Sequence, residues 1–148
     1  MDANELAIAV AKVMYHDDRC MRALGVEVLE VRPGFARLRM TVRTDMLNGI
    51  QITHGGMIFT LADAAFAFAC NSHNRRAVAA GCSIEFLRAS NLGDVLTATS
   101  VEQAVAGRRG VYDVRVEDQA GELVALFRGK SSQIGGAHVG GADADALR

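Results

Sequence analysis

Between Met57 and Cys70 the chain carries a single carboxylate, Asp63, flanked by Leu61, Ala62, Ala64, Ala65 and Phe66. An ionised acid in such surroundings is costly unless it is paired, hydrated or protonated, and no neighbouring Arg or Lys is identifiable as its partner. Burial therefore lifts its pKa above the usual carboxylate range, which suits a general base or an attacking carboxylate. The structural alternative is an acid that binds water or a loop backbone. Just upstream, His54-Gly55-Gly56 stands at the mouth of the same apolar run. The first N–H groups of a helix lack intrahelical partners and carry partial positive charge, so they polarise a carbonyl or hold an oxyanion. The glycines Gly55 and Gly56 let a substrate approach the backbone closely, or simply make a tight turn. His54 either orients the loop, bonds a substrate carbonyl or is purely structural. Asn48 either fixes Asp63 or a nucleophilic water through its amide, or belongs with Gly49 to an Asn-Gly turn.

Spacing adds a condition on assembly. Gly55 and Asp63 are eight residues apart, about 12 Å along a helix, while both must come within roughly 3 Å of one reacting carbonyl or its water. One helix cannot supply both. If they act together, they come from two antiparallel copies of the helix, as a two-fold homodimer provides.

Other chemistry is sparse. The chain of 148 residues has 16 Lys+Arg against 17 Asp+Glu, a net charge of −1, which argues against a general nucleic-acid binder. Its arginines cluster near strand ends: Arg108-Arg109 between Gly107 and Gly110, and also Arg75, Arg76, Arg88 and Arg128. A few of them can hold a polyphosphate ligand bidentately; solvated edge charges are the alternative. Cys20, Cys70 and Cys82 are odd in number and lack CxxC spacing, so they read as reduced thiols in a cytoplasm. His54 and His73 with Asp63 lack metal-ligand spacing, and no metal is expected. The acidic first residues do not resemble a secretory signal, and no apolar run reaches the ~18 residues of a membrane span.

The elements that position these residues follow from periodicity. Residues 4–16 carry an apolar helical stripe, and Asp17-Asp18 caps a second short helix ending before Gly25. Residues 26–32 and 35–43 alternate around Pro33-Gly34 as a hairpin with one wet face. The run from Gly55 or Gly56 to Asn71 lacks alternation, is rich in helix formers and is apolar on nearly every side, so it must be surrounded by protein. Residues 76–87, 95–105, 110–118 and 122–134 read as four further strands, and the tail from Gly135 is expected to fray. With no βαβ alternation, the economical fold is α+β: an antiparallel sheet wrapped around one long helix, in a single domain over residues 1–134.

The segment Asn48 to Asp63, with its HGG and LAD, followed by Gly81 to Arg88 and by Gly107-Arg108-Arg109, resembles the hot-dog-fold thioesterases of the phenylacetic acid degradation type over residues 5–134. The resemblance implies a hot-dog domain, dimers with shared active sites, pairing of dimers into homotetramers, and hydrolysis of acyl-CoA thioesters, with coenzyme A as part of the substrate and no separate cofactor. Carried over by position, Asp63 activates water or attacks the thioester carbon, and the Gly55 N–H polarises the carbonyl from the partner chain. Asn48 and His54 assist, Gly56 and Arg88 contact the substrate, and Gly107, Arg108 and Arg109 lie near the nucleotide and phosphates. Where relatives read Leu-Arg-Pro after the strand ending at Leu87, this chain has Arg88-Ala89-Ser90. Phenylacetyl-CoA or its ring-hydroxylated relatives are the expected substrates. Alternatives are a medium-chain acyl-CoA thioesterase, a non-catalytic acyl-CoA-binding protein, and a hydratase of related fold.

Overall fold

Alternation places Ala36, Leu38 and Met40 on a buried face and Arg37 and Arg39 on a wetter one, and the same rule places Tyr112, Val114 and Val116 inside. The computed structural model describes residues 1–140. In chain order its elements are α1 (Ala3–Asp17), α2 (Arg19–Ala23), β1 (Glu27–Arg32), β2 (Phe35–Thr41), α3 (Gly55–Asn71), β3 (Ala77–Phe86), β4 (Val95–Ala106), β5 (Arg109–Glu117) and β6 (Leu123–Gln133). The six strands form one antiparallel sheet in the order β1-β2-β4-β5-β6-β3. The α+β expectation holds, with α3 lying against strands from both halves of the sheet. None of the described helices is long and apolar enough to cross a membrane.

Helix α3 is held by aromatic packing. Phe66 is buried against Tyr112 and Phe127, with ring centroids 5.6 Å and 5.9 Å away, and Phe59 meets Phe127 edge-on at 5.3 Å. Each such buried ring stabilises the fold by roughly 1.5–3 kcal/mol. Gly129 makes this approach possible, because a Cβ there would lie 2.7 Å from the Phe66 ring.

Two further features bear on the expectations. The chain does not cover all of α3. Gly56, Thr60, Asp63 and Ala67, spaced four, three and four residues apart, form a stripe that is exposed or only half-buried. The sheet crosses one side of the helix and α1 reaches only part of the rest, so this stripe lacks a neighbour within the chain. The second feature concerns residues 135–140, which lie against the body of the chain. The Arg76 N–H donates to the Gly136 carbonyl, the Asn74 amide donates to the Val139 carbonyl, and Val139 packs on Val10. The rest of the tail lies outside the described residues.

Strand β3 is one of the two edges of the sheet, β1 being the other. It pairs only with β6, and eight of its ten residues are exposed, Val78 and Phe86 among them. A long unpaired edge with apolar side chains is a ready surface for another strand.

Candidate active site

At the N-terminus of α3, His54 is the cap residue: its backbone is extended, with φ −61° and ψ 130°, and its Nδ1 accepts the Gly56 N–H at 2.9 Å. That ring nitrogen therefore carries no proton while the bond is made. The Met57 N–H returns to the His54 carbonyl at 2.9 Å. No described residue accepts the Gly55 N–H. Of the two glycine donors named above, the cap consumes Gly56 and leaves Gly55 open.

The loop before this cap is organised by Asn48. Its Oδ1 accepts the N–H groups of Ile50 at 3.1 Å and Ile52 at 3.3 Å, while its backbone N–H donates to the Ile52 carbonyl. The carbonyl end of Asn48 builds the turn, and its NH₂ end has no hydrogen bond to a described residue.

Asn48, Gly55 and Arg88 line one cleft of about 330 Å³, together with Ile52, Ile58, Phe86, Leu87 and Ser90. The Ser90 hydroxyl donates to Thr53 Oγ1 at 2.6 Å, and the Thr53 N–H donates to the Ser90 carbonyl, so the end of β3 is locked to the Asn48 loop. The pairing supports the turn at Arg88-Ala89-Ser90. Arg88 itself pairs with Glu122 at 3.0 Å in an exposed ion pair. Sequence reasoning missed Phe86 and Ser90, whose only advance signal was their place beside Arg88.

Asp63 lies at the middle of α3, two turns beyond this cleft. No described residue gives its carboxylate a hydrogen bond or a salt bridge, and burial raises its pKa above the ordinary value of 3.8. Its charge reaches β3 and the end of α3: burial and then the nearby Asp63 push the Cys70 thiol up to about 12, and raise Cys82 for the same two reasons. Thiols so shifted stay protonated and are poor nucleophiles.

Gly107, Arg108 and Arg109 stand apart from these groups. The turn between β4 and β5 is Gly107-Arg108, with Gly107 at φ +60°, a conformation that favours glycine. Arg108 and Arg109 line a second cleft, of about 370 Å³, with Arg75, His73 and Cys70 near the far end of α3. Among the described residues these three arginines have no salt-bridge partner.

One chain thus holds an open donor, a raised carboxylate and an arginine cluster at the start, middle and end of one helix. Residues 50–125 match the thioesterase superfamily. The chain is 49% identical over 130 residues to the acyl-coenzyme A thioesterase PaaI of Escherichia coli, covering 88% of this chain and 93% of that protein. The chain belongs to the thioesterase superfamily. Among solved structures, the E. coli PaaI protein from the phenylacetic acid degradation operon superposes with a TM-score of 0.90 at 47% identity, covering 92% of this chain and 99% of that one. A Streptococcus mutans protein bound to acetyl CoA superposes at 0.73 with 27% identity, covering 76% and 90%. The hot-dog fold implied by the resemblance, with its sheet curled on a long helix, is therefore the fold of this thioesterase-superfamily chain.

Proposed function

We propose that this protein is a homodimeric acyl-CoA thioesterase with two shared active sites, acting on aromatic acyl-CoA such as phenylacetyl-CoA. The observation that carries this reading is the pair of unsatisfied groups on α3: the Gly55 N–H and the unpaired Asp63 carboxylate, about 12 Å apart and both only partly buried by their own chain. A second copy running antiparallel brings Asp63 of one helix beside Gly55 of the other when the two-fold axis passes near Phe59 and Thr60. Thr60 then lies at the crossing with Gly56 one turn away, and the short Thr60 side chain and the lack of one at Gly56 allow close approach. The open β3 edge supports the same pairing, since two such edges extend one sheet across both subunits.

In that arrangement the arginine cleft at the far end of α3 is carried toward the partner's Gly55. Arg108 and Arg109 bind the phosphates of coenzyme A, Gly107 shapes their turn, and Arg88 and Gly56 flank the substrate beside Asn48. The Gly55 N–H polarises the thioester carbonyl. Asp63 takes a proton from water as its oxygen attacks, or attacks the carbon itself. In either route the C–S bond breaks and the thiolate leaves and is protonated; attack by water gives the free acid directly, whereas attack by Asp63 leaves a mixed anhydride that a water then hydrolyses to free acid and the regenerated carboxylate. His54 assists by holding the Gly56 N–H, which sets the direction of its neighbour. Coenzyme A is part of the substrate, and no separate cofactor takes part. Two dimers assemble into the tetramer that the family resemblance implies, and the three free cysteines accord with a reducing cytoplasm.

A thiol-release assay over aromatic and straight-chain acyl-CoA thioesters tests the reading. Asp63→Asn is expected to lower kcat by about 10² to 10⁴ while coenzyme A still binds and the dimer persists. Binding of acyl-CoA by the native protein without thiol release would make it a carrier instead.

A further inference from the structure

We propose that Phe86 is the residue that selects aromatic over straight-chain acyl groups, an inference that rests on the thioesterase reading above. Phe86 ends β3 and pairs in register with the buried Ala125, so it lies on the side of the sheet that faces α3. Despite this inward direction it is 53% exposed. The tip of its ring meets the helix at Gly55: a Cβ added there would lie 3.2 Å from Cζ, 3.5 Å from Cε1 and 3.7 Å from Cε2. The tip is thus the part of the ring nearest Gly55, and Phe86 lines the cleft that Gly55, Ile52 and Ile58 also line.

Two of that cleft's polar residues, Ser90 and Thr53, bond each other. Ile52, Ile58 and the half-exposed Phe86 ring give it an apolar side next to the open Gly55 donor, with Asn48 and Arg88 as its remaining polar lining. A flat ring attached next to a thioester carbonyl seated on that donor falls within reach of the Phe86 ring. Aromatic pairs in offset or edge-to-face geometry gain more than their buried area accounts for, and a saturated chain does not. The contact also gives Gly55 a second reason to be glycine, since any side chain would push into the ring that forms the wall.

The experiment compares kcat/KM for phenylacetyl-CoA and hexanoyl-CoA in the native protein, Phe86→Leu and Phe86→Tyr. Phe86→Leu keeps an apolar side chain of similar reach at a half-exposed site, so the fold tolerates it; circular dichroism and dimer mass check this. The expected result is a drop of about threefold to tenfold in the aromatic-to-aliphatic ratio for Phe86→Leu, with Phe86→Tyr holding the native ratio. Equal losses on both substrates, or an unchanged ratio, would overturn the selection role while leaving the thioesterase reading intact. Absence of thiol release from either substrate in the native protein would overturn both.

Discussion

The Nδ1 of His54 accepts the Gly56 N–H at 2.9 Å, and this one bond decides which glycine of the pair remains a free donor. A cap built by a side chain is also a stability element. Replacing His54 by Ala is expected to lower the unfolding free energy by about 1 kcal/mol and to reduce kcat, while His54→Asn, a favourable cap residue, recovers the stability. Urea denaturation of the three proteins checks this; an Ala variant as stable as the native protein would contradict the capping role.

Gly55 is the first helical residue, the position that best tolerates proline, and His54 already has the extended backbone that a residue before proline adopts. Gly55→Pro therefore deletes the open N–H with little backbone cost, the Phe86 ring giving way slightly. The expected loss in kcat is about 10² to 10³.

Mixing Gly55→Pro chains with Asp63→Asn chains tests whether the sites are shared. Each mixed dimer contains one site with both groups intact, so random equal mixing restores about a quarter of native activity. No recovery, with mixed dimers verified by mass, would place both groups of each site in one chain.

Burial holds the folded-state pKa of Asp63 above the unfolded-chain value near 3.8, so the native state retains this proton more tightly. The stability tied to it is complete below the unfolded-chain value and is lost as pH rises through the raised value. Asp63→Asn, which cannot ionise, is expected to melt above the native protein at neutral pH, with the gap shrinking on acidification. Because catalysis needs the carboxylate form, the acid limb of native kcat/KM is expected above the ordinary carboxylate range. A limb at or below 3.8 would contradict the burial effect.

Ser100 is fully buried on β4 between Ala36 and Val114, and its hydroxyl has no hydrogen-bond partner among the described residues. Desolvating an unpaired hydroxyl is unfavourable, so Ser100→Ala is expected to stabilise the protein by about 1 kcal/mol without changing thiol release. Chemical denaturation measures it, and a destabilised Ala variant would show that the hydroxyl is satisfied.

Much of this protein is local in origin. Alternation in residues 35–43 and 110–118, the helix formers from Gly55 to Asn71 and the turn residues between strands determine the elements, because side-chain direction along a strand or helix depends only on position in the chain. The isolation of Asp63 among apolar neighbours, and the impossibility of one helix supplying both it and Gly55, were legible for the same reason. Distances along a helix need no tertiary information.

What only the tertiary structure decided depends on contacts between distant segments. The Gly55 N–H is the free donor because of where the His54 ring turns. Phe86 belongs to the site because the β3 and β6 register carries it to the helix end, and Ser90 anchors the Asn48 loop across a separation of 37 residues. Packing within the chain also left the Gly56, Thr60, Asp63 and Ala67 stripe only partly covered, although composition had pointed to a helix surrounded by protein. One sheet curls around only part of a cylinder, and the sequence of a single helix does not record which part is left over.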